Sequence, residues 1–134
     1  RDRLRSRGLG DVYKRQGMKS VDLFDHDEYW IMKRTPKDYQ ALSNGGETYE
    51  KVYQRALAAF KEIAEKHQQD ENVLIVSHGM TLTVLTAVLK GLPWHEARNE
   101  DLHSFVINTA INIVEVDGEK NTLKVFNQVD HLDK

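Results

Sequence analysis

From Thr48 to about His67, the apolar residues Val52, Ala56, Ala59, Phe60 and Ile63 recur every three or four positions, the period of a helix with one buried face. Glu47 and Glu50 stand at its start, where negative charge suits the helix dipole, and Lys66 and His67 at its end. The pattern then changes. Val73-Leu74-Ile75-Val76 is apolar on both faces, which predicts a central strand covered by helices on each side. It ends at Ser77-His78-Gly79, and a second helix starting near Met80 carries Leu82, Leu85, Val88 and Leu89 before stopping at Gly91, with Pro93 just beyond. Pro93 is expected to open a short helix through Leu102. Phe105–Asn108 and Ile111–Val116 read as one strand or two closely linked strands, and Asp117-Gly118 begins a turn into Thr122–Phe126, giving a hairpin. Helix, central strand, helix, strand and hairpin strand in this order predict an α/β layered sheet.

The stretch before Thr48 is less periodic. Aromatic residues (Phe24, Tyr29, Trp30, Tyr39) alternate with charges, and Pro36 interrupts them. Val21–Phe24 and Glu28–Lys33 read as short helical pieces, and Ser43-Asn44-Gly45-Gly46 is a break. Residues 17–44 therefore form a cap or insertion, and residues 45–134 the core, with no internal repeat or low-complexity tract.

With 134 residues, 40% apolar and 30% charged, the chain is one domain with enough material for a core. No apolar run approaches membrane-spanning length and no secretory signal is visible, so no membrane partner is expected and the cytoplasm is the expected location. The absence of cysteine excludes disulfides and thiolate metal sites. The net charge of −2 conceals an asymmetry: residues 1–16 hold six basic and two acidic side chains, leaving −6 on the remainder. A basic arm on an acidic body would point to nucleic acid. The string Asp11-Val12-Tyr13-Lys14-Arg15-Gln16, however, looks like the in-frame translation of a transposon-end adapter used in sequencing libraries. Residues 1–16 are thus expected to be foreign and disordered, with no nucleic-acid partner and a domain that begins at Gly17.

The strongest chemical signal is the strand, Ser77-His78-Gly79, helix junction. Open α/β sheets place ligands at the carboxyl end of a buried strand. Gly79 lets backbone approach a ligand, the helix N-terminus offers N–H groups to an anion, and an imidazole can hydrogen-bond a phosphoryl oxygen. The alternative is a His78 that closes the strand by bonding a neighbouring carbonyl. Ser77 either donates to the same phosphate or satisfies backbone at the strand end. Asp25-His26-Asp27-Glu28 invites a metal reading, but no second cluster completes a site, so no metal and no cofactor are expected.

Val73–Gly79 resembles the second catalytic-histidine motif of the histidine-phosphatase (phosphoglycerate-mutase-like) superfamily. Gly45-Gly46-Glu47-Thr48 with Arg55 resembles the opening of its preceding helix, Asn108-Thr109-Ala110 its Asn-Thr/Ala-Ser strand, and Asn127 with His131-Leu132 its closing Asn-x-x-x-His-Leu. Met80 departs from the glycine of many members. The resemblance implies a three-layer α/β/α sandwich and a two-step transfer in which an Arg-His-Gly histidine becomes phosphohistidine while a second histidine helps hold the phosphoryl oxygens. No Arg-His-Gly occurs in this chain, which implies a domain truncated at its N-terminus, lacking nucleophile, arginines and acid. His78 then carries over as the catalytic residue, with Gly79, Ser77, Asn108 and Thr109 as phosphate-binding candidates. Asn108 and Thr109 sit at a strand position that either faces the pocket or does not, and His131 is either a surface contact or the pocket edge. Glu47 is read as a helix-start residue rather than the catalytic acid, and Arg55 as a structural ion-pair residue rather than a substrate contact. The implied function is hydrolysis of a small phosphorylated metabolite in the intact parent, with phosphoglycerate mutase as alternative and a non-catalytic phosphate binder as a reading of another class. A serine hydrolase would need a Gly-x-Ser-x-Gly elbow downstream of Gly79, and none follows.

Overall fold

The computed structural model describes residues 19–42, 45–67 and 71–132, so the expectations for residues 1–16 and for Ser43-Asn44 lie outside the described residues. A 3-10 turn at Ser20–Leu23 leads into α1 (Asp27–Arg34), and a second 3-10 turn follows at Pro36–Asp38. The two helical pieces expected in the cap are both present. Asp27 and Glu28 open α1 and Lys33 and Arg34 close it, matching the helix dipole at both ends. The rings of Phe24, Tyr29 and Trp30 lie 5.4–5.7 Å apart, and Trp30 Nε1 donates to the Phe24 carbonyl at 2.8 Å.

Helix α2 runs over Tyr49–Lys66, where Thr48 caps it by accepting from the Lys51 N–H at 3.3 Å. Its buried face is Tyr49, Val52, Ala56 and Phe60, the predicted stripe less Ala59, which is exposed, and Ile63, which is half-buried. Helix α3 spans Gly79–Leu89 and ends in a Schellman motif. Leu92 N–H donates to the Ala87 carbonyl at 3.0 Å and Gly91 N–H to Val88 at 2.9 Å, while Gly91 takes φ +84°, which favours glycine. The stop predicted at Gly91 is therefore where the helix ends.

The buried face of α3 differs from the predicted leucine stripe. Thr81, Thr83, Val84, Leu85, Thr86 and Ala87 are buried, and Leu82, Val88 and Leu89 only partly so. Two of the threonine hydroxyls are tolerated there because they are bonded: Thr86 Oγ1 donates to the Leu82 carbonyl at 2.8 Å, and Thr83 Oγ1 accepts from Val106 N–H at 3.0 Å. One cluster joins Tyr39, Ala41, Tyr49, Val84, Ala87 and Ala97, with Met32, Met80 and Trp94 against it. A second joins Ala56, Phe60 and Leu85 to Val114 of the sheet. The short helix expected from Pro93 to Leu102 forms as two 3-10 turns, Trp94–Glu96 and Glu100–Leu102.

Strands β1 (Ile111–Asp117) and β2 (Lys120–Gln128) form an antiparallel hairpin, with Asp117 opposite Lys120 and Gly118 at φ +59° in the turn. Helices packed on this small sheet keep the molecule in the α/β class. Two predicted strands take another form. Val73–Val76 joins no ladder among the described residues, since the sheet there contains β1 and β2 alone. Its exposures alternate: Val73 and Ile75 are 44% and 38% exposed, Leu74 and Val76 87% and 84%. That period of two is the signature of an extended chain with one face partly shielded and the other open. Strand sequence without a partner strand yields extended backbone, because a ladder needs two sides. Phe105–Asn108 is likewise unladdered, since side chains satisfy its backbone instead: Val106 N–H is taken by Thr83, Ile107 N–H by Asn127 Oδ1 at 2.9 Å, and the Phe105 carbonyl by Asn127 Nδ2 at 2.7 Å. Among the described residues, no helix is long and apolar enough to cross a membrane.

Candidate functional site

The apolar run delivers the chain to His78, which is the N-cap of α3, with φ −87° and ψ 148°. Its carbonyl accepts the first intrahelical bond, from Leu82 N–H at 2.9 Å, and its side chain makes no capping bond. The N–H groups of Gly79, Met80 and Thr81 consequently have no intrahelical acceptor, and together with the dipole they make this helix start attractive to an anion. Ser77 and His78 are exposed and Gly79 is half-buried.

Asn108 is brought to the same place. Its Oδ1 lies 3.7 Å from where a β-carbon on Gly79 would stand, so its carboxamide rests against the helix start. That separation is ordinary contact, and Gly79 does not have a positive φ. The fold therefore does not demand glycine at 79. What the missing side chain provides is space between the helix start and the Asn108 carboxamide. Thr109 follows at φ +63°, exposed, with its hydroxyl donating to the Asn108 carbonyl at 2.6 Å. The structure thus unites His78, Gly79 and Asn108, leaves Ser77 exposed beside them, and uses the Thr109 hydroxyl in the local turn.

Two other residues organise this region, and periodicity gave no sign of either role. Asn127 adopts φ +55° in β2; its carboxamide bonds Phe105 and Ile107, and its own N–H donates to Asn112 Oδ1 at 2.8 Å. The only hint in the sequence was its place in the closing motif. Arg98, in the loop after the Trp94–Glu96 turn, donates from Nη1 to the Tyr49 hydroxyl at 2.8 Å and touches Met80 Sδ at 3.5 Å. Its guanidinium also faces the Phe105 ring at 5.4 Å. One cation therefore ties the start of α2, the first turn of α3 and the segment leading to Asn108.

Glu47 and Arg55 are paired with each other. The guanidinium donates to both carboxylate oxygens, at 2.9–3.2 Å, with side chains 29% and 30% exposed. This bidentate bond pins the residues before α2 onto its second turn, as expected for a helix-start glutamate. Arg55→Ala is expected to cost no more than about 1 kcal/mol in urea unfolding, because the pair is partly solvated, and to leave any phosphatase kcat/KM unchanged. His103, at φ +45°, and His131, in a 3-10 turn at Asp130–Leu132, are both exposed. A cleft of about 580 Å³ between α2 and the hairpin turn is lined by charged side chains such as Lys61, Glu65 and Glu119, and a second of about 440 Å³ lies beside Glu28, Ile31 and Leu42. Neither is lined by His78, Gly79 or Asn108, and His78 and Asn108 are themselves exposed.

Comparison with known proteins bears on the family of the chain. The sequence profile of the histidine phosphatase superfamily (branch 1) matches residues 1–129, a range that includes the basic N-terminal stretch. The chain is 28% identical, over 141 aligned positions, to phosphoglycerate mutase-like protein 4 of Arabidopsis thaliana, covering 98% of this chain and 53% of that protein. It is 26% identical, over 115 positions, to a metal-independent phosphoserine phosphatase of Arabidopsis thaliana, covering 78% of this chain and 44% of that one. The crystal structure of the alpha-ribazole phosphatase from Shigella flexneri superposes with a TM-score of 0.60 at 26% identity, covering 81% of this chain and 52% of the other. The chain spans about half the length of the relatives it matches. With the profile extending over nearly all of its residues, the chain belongs to the histidine phosphatase superfamily.

Proposed function

We propose that the gene product containing this chain hydrolyses small phosphomonoesters, and that His78, Gly79 and Asn108 hold the phosphoryl oxygens during transfer. The observation that carries the reading is the approach of the Asn108 carboxamide to the start of α3, where His78, an exposed residue, is the N-cap. In-line attack on phosphorus spreads negative charge over three equatorial oxygens, so preorganised N–H donors and a protonatable imidazole there lower the barrier. The attacking group is a histidine outside the motifs of these 134 residues, since no Arg-His-Gly stands among them. It takes the phosphoryl group as the substrate oxygen leaves with a proton, and water then releases phosphate and restores the imidazole. A cytoplasmic setting suits such a metabolite as substrate. Phosphatase is preferred because two of the matched relatives bear that name; the mutase reading rests on the name of the third.

The test is phosphate release by the full gene product from p-nitrophenyl phosphate, O-phosphoserine and 3-phosphoglycerate, with and without chelator. Turnover insensitive to chelator and inhibited by vanadate, which mimics the five-coordinate phosphorus, is expected. Loss of activity on chelation contradicts the reading. Isomerisation of 3-phosphoglycerate in place of release selects the mutase, and phosphate binding without turnover selects a non-catalytic binder.

A further inference from the structure

Asn108 reaches the His78 turn although the segment that carries it, residues 105–108, belongs to no strand. Its placement depends on what anchors that segment. The Thr83 hydroxyl accepts from Val106 N–H. On the other side, a single side chain does the work of a ladder rung: Asn127 Oδ1 accepts from Ile107 N–H at 2.9 Å and Asn127 Nδ2 donates to the Phe105 carbonyl at 2.7 Å. Donor and acceptor two residues apart on one edge are what a neighbouring strand would satisfy, and a carboxamide offers the same pair of groups as a peptide. Asn127 can aim inward only because its backbone leaves regular β geometry at φ +55°, a conformation asparagine tolerates better than most residues. The Asn112 carboxamide fixes it there by accepting the Asn127 N–H at 2.8 Å.

We infer that Asn127 is a positioning residue for the phosphate site: its side chain stands in for a strand and sets Asn108 against the Gly79 end of α3. The inference rests on the phosphate-binding reading of that turn. Asn127 touches no reacting atom and acts through Asn108 alone.

Two substitutions in the full gene product separate the side chain from the backbone. Asn127→Gly keeps the positive φ at no steric cost but removes both side-chain bonds. Asn127→Asp keeps an acceptor for Ile107 N–H and loses the donor to Phe105. In Asn127→Gly, the Ile107 amide is expected to exchange faster, and the nuclear Overhauser contact between the Asn108 carboxamide and Gly79 to disappear. The Leu92 amide in the Schellman motif is expected to keep its protection, showing that the fold persists. kcat/KM is expected to fall by up to about 10²-fold, as for a binding group displaced by about 1 Å. Adding Asn108→Ala to Asn127→Gly is expected to cause no further loss, whereas independent residues would give multiplying losses. If Asn127→Gly does not fold, Asn127→Asp carries the same measurements with a smaller expected effect. An unchanged Ile107 exchange rate and a retained Asn108–Gly79 contact overturn the inference, as do multiplying losses. Should the wild-type protein bind no phosphate or vanadate, the proposed function fails, while the exchange and contact measurements still decide whether Asn127 places Asn108.

Discussion

His78→Ala in the full gene product is expected to lower kcat by at least on the order of 10²-fold, with a smaller change in KM. The direction follows from where charge develops. A ground-state phosphomonoester already carries negative charge, but its distribution over the equatorial oxygens changes at the five-coordinate stage, and a group fixed at that position stabilises transfer more than binding. The His78 backbone is fixed as the N-cap of α3, its own carbonyl held by Leu82 N–H. His78→Gln, which keeps a donor but not a proton that can be taken up, is expected to retain part of the rate. His103→Ala and His131→Ala, at exposed turns, are expected to leave kcat unchanged. Steady-state kinetics on these four variants checks the assignment. A near-normal rate for His78→Ala removes it, and loss of activity in His103→Ala or His131→Ala moves the chemistry elsewhere.

The second large effect concerns the 134-residue chain made alone, which is expected to show no turnover, to unfold without a sharp transition and to self-associate. Leu74 and Val76 are 87% and 84% exposed on one face of an extended run whose edges join no ladder among the described residues. Leaving those two side chains in water forgoes about 3–6 kcal/mol. A domain's whole net stability is about 5–15 kcal/mol. Ile111 and Ile113 of β1 are a further 45% and 47% exposed, so strand-like apolar surface and open backbone occur together, the conditions for edge-to-edge pairing. Sedimentation velocity at increasing concentration is expected to show growing assemblies. Leu74→Lys with Val76→Lys, charging the open face, is expected to return the chain toward monomer. A cooperative melt and a single monomeric species for the unmodified chain would contradict this account, and turnover by the chain alone would contradict the catalytic half.

Helices were the most legible part of the sequence, because their signals are local. Thr48 caps α2, and Gly91 at φ +84° ends α3, where the letters placed them. The hairpin turn at Gly118 was legible for the same reason. The runs at Val73–Val76 and Phe105–Asn108 were not legible as unladdered chain, since a strand is a relation between segments: the pattern at Val73–Val76 describes what could be covered, and nothing in those four letters supplies the cover. The threonine-lined burial of α3 escaped because a hydroxyl is counted as polar until its partner, such as Val106 N–H for Thr83, is known. His78 and Gly79 were readable as a pair because they are adjacent. Asn108 joins them across 29 positions through Asn127 and Thr83, and only the folded chain shows that path.

The most direct test of the central claim is a vanadate titration of the full gene product, followed by the imidazole resonances of His78 and the amide resonances of Gly79 and Asn108. All three are expected to move together and saturate at the concentration that inhibits phosphate release, and Asn127→Gly is expected to weaken the response at Asn108 first. Inhibition by vanadate with the His78, Gly79 and Asn108 signals unmoved would contradict it.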